Sequence, residues 1–464
     1  MSELQSVLAG DTRGPDGAPL PPADRIALAE RVLVRQFQGE PWLVSFVMSD
    51  LSSRFYESGD RESQRRMLGR ARAIALEGRF PSQLALADCF RASSWWFDDQ
   101  LDSAQAAMAE AKAALARAGA GADDAARLAC LEAEGKVLQA TGKGDSAVAL
   151  LRRAAAIVEH DSTDTDRQRV FNALAEVLRL TGRTREALPY LRYQLMQVQR
   201  TGRDETEELP NVASFVERSL SELGEFAAVD STLGALVRAR EAVHGEGRVP
   251  VLLAFLYGQN KLRLGALDSA EAWLTRVLRD TTSDSGAMSV WLPVALAQLR
   301  LDQGRPADAR EHVARLASGP RGRRATRAML RARLRRAEGD TSGAAALLEG
   351  ELATIYREPG VLLSQFAPPL VTAADWRLAA GDARGADSLA RLARTAAATD
   401  SLALSRSAHV GRAELLLARA LRARGDLPAA RDAARRAGVA LANGYGSANA
   451  WTNAARALAD SLAQ

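Results

Sequence analysis

A chain of 464 residues is too long for a single compact core, so it must divide into domains or extend as repeats. Its 47% hydrophobic and 25% charged residues match an ordinary soluble protein, and a net charge of +4 is too small at this length to announce a nucleic-acid binder. The only cysteines, Cys89 and Cys130, exclude a disulfide-rich scaffold and a cysteine-based zinc finger.

Residues 1–22 contain GDTRGPDGAPLPP and read as a flexible leader or linker. Met1–Gly10 has neither the basic start nor the apolar core of a signal peptide. The longest apolar runs, at 41–48 and 249–256, are too short to span a bilayer, so no membrane partner is expected. A reducing, cytoplasmic setting follows, with Cys89 and Cys130 as small buried hydrophobes in helical stretches.

From Ala23 onward apolar residues recur at helical spacing, and strand-like alternation is nearly absent. Turns recur with them. Gly59, Asp99, Gly142, Gly182, Gly224, Gly265, Gly304, Gly339, Gly381 and Gly425 occupy equivalent places, roughly 35 to 44 residues apart. Five residues after each stand Gln64, Ala104, Ala147, Ala187, Val229, Ala270, Ala309, Ala344, Ala386 and Ala430. A turn glycine ends one helix in the left-handed conformation, and a small residue early in the next lets the two backbones approach. Gln64 departs from this rule, as suits an atypical first unit. Asp60, Asp145, Asp340, Asp382 and Asp426 follow turns and can accept hydrogen bonds from free N–H groups at the next helix start. A period near 40 with two helices per unit marks an α-solenoid. The last segment, 447–464, reads as a capping helix.

The order apolar, small, apolar, turn glycine, alanine is clearest at Leu131–Ala154, Phe171–Leu191 and Leu417–Ala437. It resembles the tetratricopeptide repeat (TPR). The resemblance implies an all-α, right-handed α-solenoid of about ten helix-turn-helix repeats over 23–446. Departures stand at Gln64, Glu217, Arg331 and Arg335. The unit is longer than the family's usual ~34 residues. In this it is similar to the helical regions attached to bacterial serine/threonine kinases and large transcriptional activators. That likeness implies a non-catalytic scaffold or sensor region in bacterial signal transduction, binding a protein or peptide and needing no cofactor. The kinase motifs HRD and DFG are absent, so kinase activity does not carry over.

In TPR solenoids one face of each first helix lines the concave groove. Residues three, six, ten and thirteen before each turn share that face. Here it carries Glu132, Lys136, Gln139, Arg169, Asn172, Glu176, Arg179, Asn211, Ser214 and Arg218, continuing through Gln259, Trp291 and Gln298. After Phe255 the face turns apolar with Leu262, Trp291, Val294, Leu301 and Met329. Asn and Arg can bond a peptide backbone or grip carboxylates. A merely solvated polar face accounts equally well for the same residues.

Sharper motifs dissolve into the repeat. DDQLD offers Asp98, Asp99 and Asp102 in the DDxxD pattern of all-helical prenyl-transferring enzymes, but it sits at a repeat turn with no second acidic motif. TGKGDS at 141–146 lacks phosphate-loop spacing. His160, His244, His312 and His409 stand far apart, without metal-ligand spacing. The strongest charge cluster, Arg321–Arg336, holds Arg321, Arg323, Arg324, Arg327, Arg331, Arg333, Arg335 and Arg336. Pairing with acids of neighbouring repeats is expected; the alternative is a nucleic-acid-binding face, argued against by the missing aromatics.

Overall fold

In the computed structural model, residues 13, 20, 22–57, 60–160, 164–200, 208–280, 286–317, 324–355 and 363–463 are described. Helices make up their architecture. A first helix, α1 (Pro22–Gln36), is followed by hairpins whose first and second members we term A and B helices. In order the pairs are α2 (Pro41–Glu57) with α3 (Arg61–Glu77), α4 (Pro81–Phe97) with α5 (Leu101–Ala118), and α6 (Asp124–Ala140) with α7 (Gly144–His160). Next in sequence are an A helix, α8 (Asp164–Leu180), and a B helix, α9 (Thr184–Arg200), then the pairs α10 (Glu208–Glu222) with α11 (Phe226–His244) and α12 (Val251–Arg263) with α13 (Leu267–Asp280). They continue with α14 (Gly286–Asp302) and α15 (Pro306–Ala314), α16 (Arg324–Ala337) and α17 (Thr341–Ile355), and α18 (Ala367–Ala379) and α19 (Ala383–Ala397). The short α20 (Ala403–Arg406) precedes α21 (Ala408–Ala423) and α22 (Leu427–Tyr445), and α23 (Ala450–Ser461) ends the series.

The turns obey the sequence rule. At the third hairpin the Gly142 N–H bonds the Gln139 carbonyl (3.1 Å) and the Lys143 N–H bonds that of Leu138 (2.9 Å), closing α6 with glycine at φ +78°. Asp99 takes the same left-handed conformation at φ +57°. The carboxylates of Asp60, Asp340, Asp382 and Asp426 accept from backbone N–H groups three residues on, at 3.0, 2.8, 2.8 and 3.2 Å. Gly59 lies outside the described residues, as do Arg321 and Arg323 and nearly all of the 1–22 leader.

The chain divides into two compact units, Met1–Thr181 and Gly182–Gln464. In the first, small side chains set the helix spacing. A Cβ on Gly135 would sit 2.7 Å from the Leu151 side chain, so α6 and α7 can pack this closely only with glycine there. Ala104 and Ala147 are fully buried at their hairpins, and in the first repeat the buried Gln64 accepts a hydrogen bond from Ser94 Oγ (3.1 Å). Its amide thus finds the partner that a buried polar group requires.

The cysteines overturn an expectation. Cys89 on α4 and Cys130 on α6 are not free thiols but a disulfide, with Cα atoms 5.2 Å apart. Their sequence separation of 41 residues is about one repeat, so stacking two A helices brings them face to face within ordinary bridging distance.

In the second unit one core gathers Phe226, Met329, Phe366, Trp376, Leu415, Leu441 and Tyr445 with many alanines. A smaller one holds Val294, Val313, Leu330 and Leu334, with Leu301 packed against it. This corrects the reading of a greasy face after Phe255. Phe255, Leu262, Val294 and Met329 are buried in the packing between helices, because their offsets point them toward neighbouring hairpins.

Candidate functional site

Several of the polar A-helix residues pair with one another. In the first unit, Lys136 Nζ lies 2.6 Å from Glu132 Oε1 one turn away on α6. Arg169 Nε of α8 lies 3.2 Å from the other Glu132 oxygen, so the pair extends across two repeats. Glu132 and Lys136 are largely buried, where an ion pair persists only if it is well partnered. Aromatic rings from α4 line the same place: the Lys136 ammonium stands 5.1 Å from the Phe97 ring centre, and Arg169 lies 5.9 Å from that of Phe90.

Farther along α8, Arg179 donates twice to Glu176, at 3.0 and 2.7 Å. Asn172 lies between these two sets in sequence, and its enclosed Oδ1 has no hydrogen-bond partner. Gln139 is half-buried.

The second unit repeats the device. The buried Glu217 of α10 accepts from Arg263 of α12 and from Ser221 Oγ (2.8 Å), while Arg263 also donates to Gln259 (2.9 Å). Arg218 lies 5.5 Å from the Phe215 ring, Ser214 Oγ donates to the Asn211 carbonyl (2.7 Å), and Asn211 is exposed. Trp291 and Gln298 are half-buried on α14. Glu217 stands at a usually small position, where a charge reads as a departure from the motif, and its distance from the turn differs from that of Glu132, as that of Arg263 does from Arg169, so the repeat alignment does not pair it with Arg263.

Several arginines of the cluster pair with acids at close range. Arg324 Nε lies 3.0 Å from Glu351, Arg333 2.5 Å from Asp302 of α14, and Arg335 2.5 Å from Asp340. Arg336 stacks 4.9 Å from the Trp376 ring centre. Burial, with Arg331 and Arg324 nearby, lowers the pKa of Arg327. The DDQLD stretch is a turn: Asp98 pairs with Arg65 and Arg61, Asp99 forms the bend and Asp102 lies in the first turn of α5. Among the described residues, no group of three or more His, Cys, Asp or Glu side chains is placed to hold a metal ion. No helix among them is long and apolar enough to cross a membrane.

No family model matches the chain, and no curated protein is significantly similar to it. Solved structures do match. The apo form of RapI superposes with a TM-score of 0.54 at 11% identity, covering 76% of this chain and 97% of that one. A Rap protein complexed with competence and sporulation factor gives 0.52 at 12% identity, covering 77% and 99%. The Cut9–Hcn1 hetero-tetramer of the APC/C spans 96% of this chain and 97% of its own, at a TM-score of 0.43 and 12% identity. At such identities the likeness is one of fold. The chain is a tetratricopeptide-like helical-repeat protein, an all-α solenoid.

Proposed function

We propose that the chain is a protein-interaction scaffold or sensor region of bacterial signal transduction, binding a partner protein or peptide through the A-helix faces of its repeats. The observation that carries this reading is the cross-linking of polar side chains between successive A helices, Glu132 to Arg169 and Glu217 to Arg263. Side chains already held in one geometry lose little rotamer entropy when a partner arrives, so their polar edges bind at lower cost than free ones. The enclosed, unpartnered Oδ1 of Asn172 adds an acceptor that a partner's N–H could satisfy after a rotamer change. The solved Rap complex with competence and sporulation factor supports the reading by likeness of fold.

The test is affinity capture from the source cell followed by mass spectrometry. Substituting Asn172, Arg179 and Arg218 together by alanine should remove the captured partner while the melting temperature stays within a few degrees. An unchanged set of captured proteins would overturn the reading. The compartment is open to a direct measurement as well, since disulfides persist in oxidising surroundings. Alkylation of intact cells at harvest leaves the Cys89–Cys130 pair blocked in an oxidising compartment and labels both thiols in a reducing cytoplasm.

A further inference from the structure

A simple repeat array touches only its nearest neighbours, and its energetics are then one-dimensional. The second unit breaks this rule at one place. The turn joining α10 to α11 meets the start of α21, although nearly 190 residues separate them in sequence. The Ala408 N–H donates to the Gly224 carbonyl at 2.9 Å. Beside it His409 Nε2 lies 3.1 Å from the Ser221 carbonyl oxygen, the distance of a ring N–H donor.

Side chains reinforce this contact from both sides. Phe226, the first residue of α11, stacks on Tyr445 at the end of α22, with centroids 5.3 Å apart and planes 22° from parallel. The ring of His409 meets Phe226 edge-on at the same distance. Around these rings runs a charged girdle: Arg185 bridges Glu225 and Asp400 at 2.7 Å each, and Arg406 reaches Glu225 at 3.4 Å. Asn449, the cap of α23, donates to the Leu264 carbonyl at 3.0 Å. Gly224 has no room for a side chain here. A Cβ would lie 2.5 Å from Ser407 Oγ and 3.0 Å from the Ala408 nitrogen.

We infer that these contacts form a latch that closes the second unit on itself, so that its α10–α11 and α21–α22 hairpins open and close together rather than independently. The latch adjoins the candidate binding face through one residue. Arg263 holds Glu217 and Gln259 on that face and lies 5.7 Å from the Phe226 ring of the latch. A change in the packing of Arg263 is therefore felt at Tyr445 and His409, far along the chain on α22 and α21.

Hydrogen exchange of the full chain, with no partner added, tests this. The Ala408 amide reports directly on the latch, since its protection depends on a bond to Gly224. Gly224→Ala combines a strained positive φ with the clash against Ser407. Gly381→Ala imposes the same kind of strain at φ +83°, with nothing within 4 Å of the new Cβ. The latch requires Ala408 exchange to rise at least tenfold in Gly224→Ala and to stay near the native rate in Gly381→Ala. Equal effects, or none in either variant, would overturn it. Should Gly224→Ala fail to fold, Arg406→Ala decides the matter. Loss of that exposed arginine should speed Ala408 exchange severalfold, and an unchanged rate would refute the latch.

Discussion

At the scale of single residues, Gly135 and His409 carry measurable consequences. Gly135 faces Leu151 with no room for a Cβ. Gly135→Val should therefore destabilise the first unit by about 1–3 kcal/mol through overpacking, read from the urea midpoint. His409 sits where burial first, then Arg412 and Arg263, lower its pKa to about 4, although the residue as a whole is only half-buried and the Ser221 carbonyl opposes the shift. Glu217 pairs with Arg263 on the α12 side, and Arg185, Glu225, Asp400 and Arg406 surround the same turn. The unfolded chain, with a histidine pKa of 6.5, binds a proton that the folded one refuses between those values. The contribution of this group to the stability of the second unit is thus complete above pH 6.5 and declines as pH falls toward 4, by at most about 3 kcal/mol. His409→Gln should flatten that part of the profile in pH-dependent melting.

The helix is the next scale, and here the chain is locally consistent. Aspartates accept hydrogen bonds at B-helix starts, and backbone bonds lower the pKa of Asp60 and Asp340. Removing a cap should cost about 1 kcal/mol, so Asp382→Ala and Asp426→Ala should each lower the urea midpoint modestly without changing helix content by circular dichroism. These caps were legible in the sequence, since turn glycine followed by aspartate is a local signal. The Glu132–Arg169 and Glu217–Arg263 bridges were legible only in part. Polar residues could be assigned to one face from helical period alone, whereas the partner of each depends on which helices stack.

For the whole molecule, the disulfide and the two-unit division act together. The Cys89–Cys130 bridge lies wholly within the first unit. Loop-closure entropy for a 41-residue separation gives it about 4 kcal/mol of stabilisation. Reduction, or Cys89→Ser with Cys130→Ser, should shift only the unfolding transition of the first unit in calorimetry. The transition of Gly182–Gln464 should stay in place. A common shift of both would mean that the units unfold as one.

The sequence by itself determined the class of architecture. Glycine and aspartate at the turns, alanine five residues later and apolar stripes at helical spacing are short-range properties, and each fixes its own hairpin whatever lies beyond. Only the tertiary structure decided what those hairpins bring together. Cys89 meets Cys130 one repeat away, Phe255 and Met329 turn into the packing rather than onto an open face, and Gly224 meets Ala408 across the second unit. The physical reason is distance along the chain: local propensity and period act over a few residues, whereas pairing between repeats depends on small rotations that accumulate from one hairpin to the next.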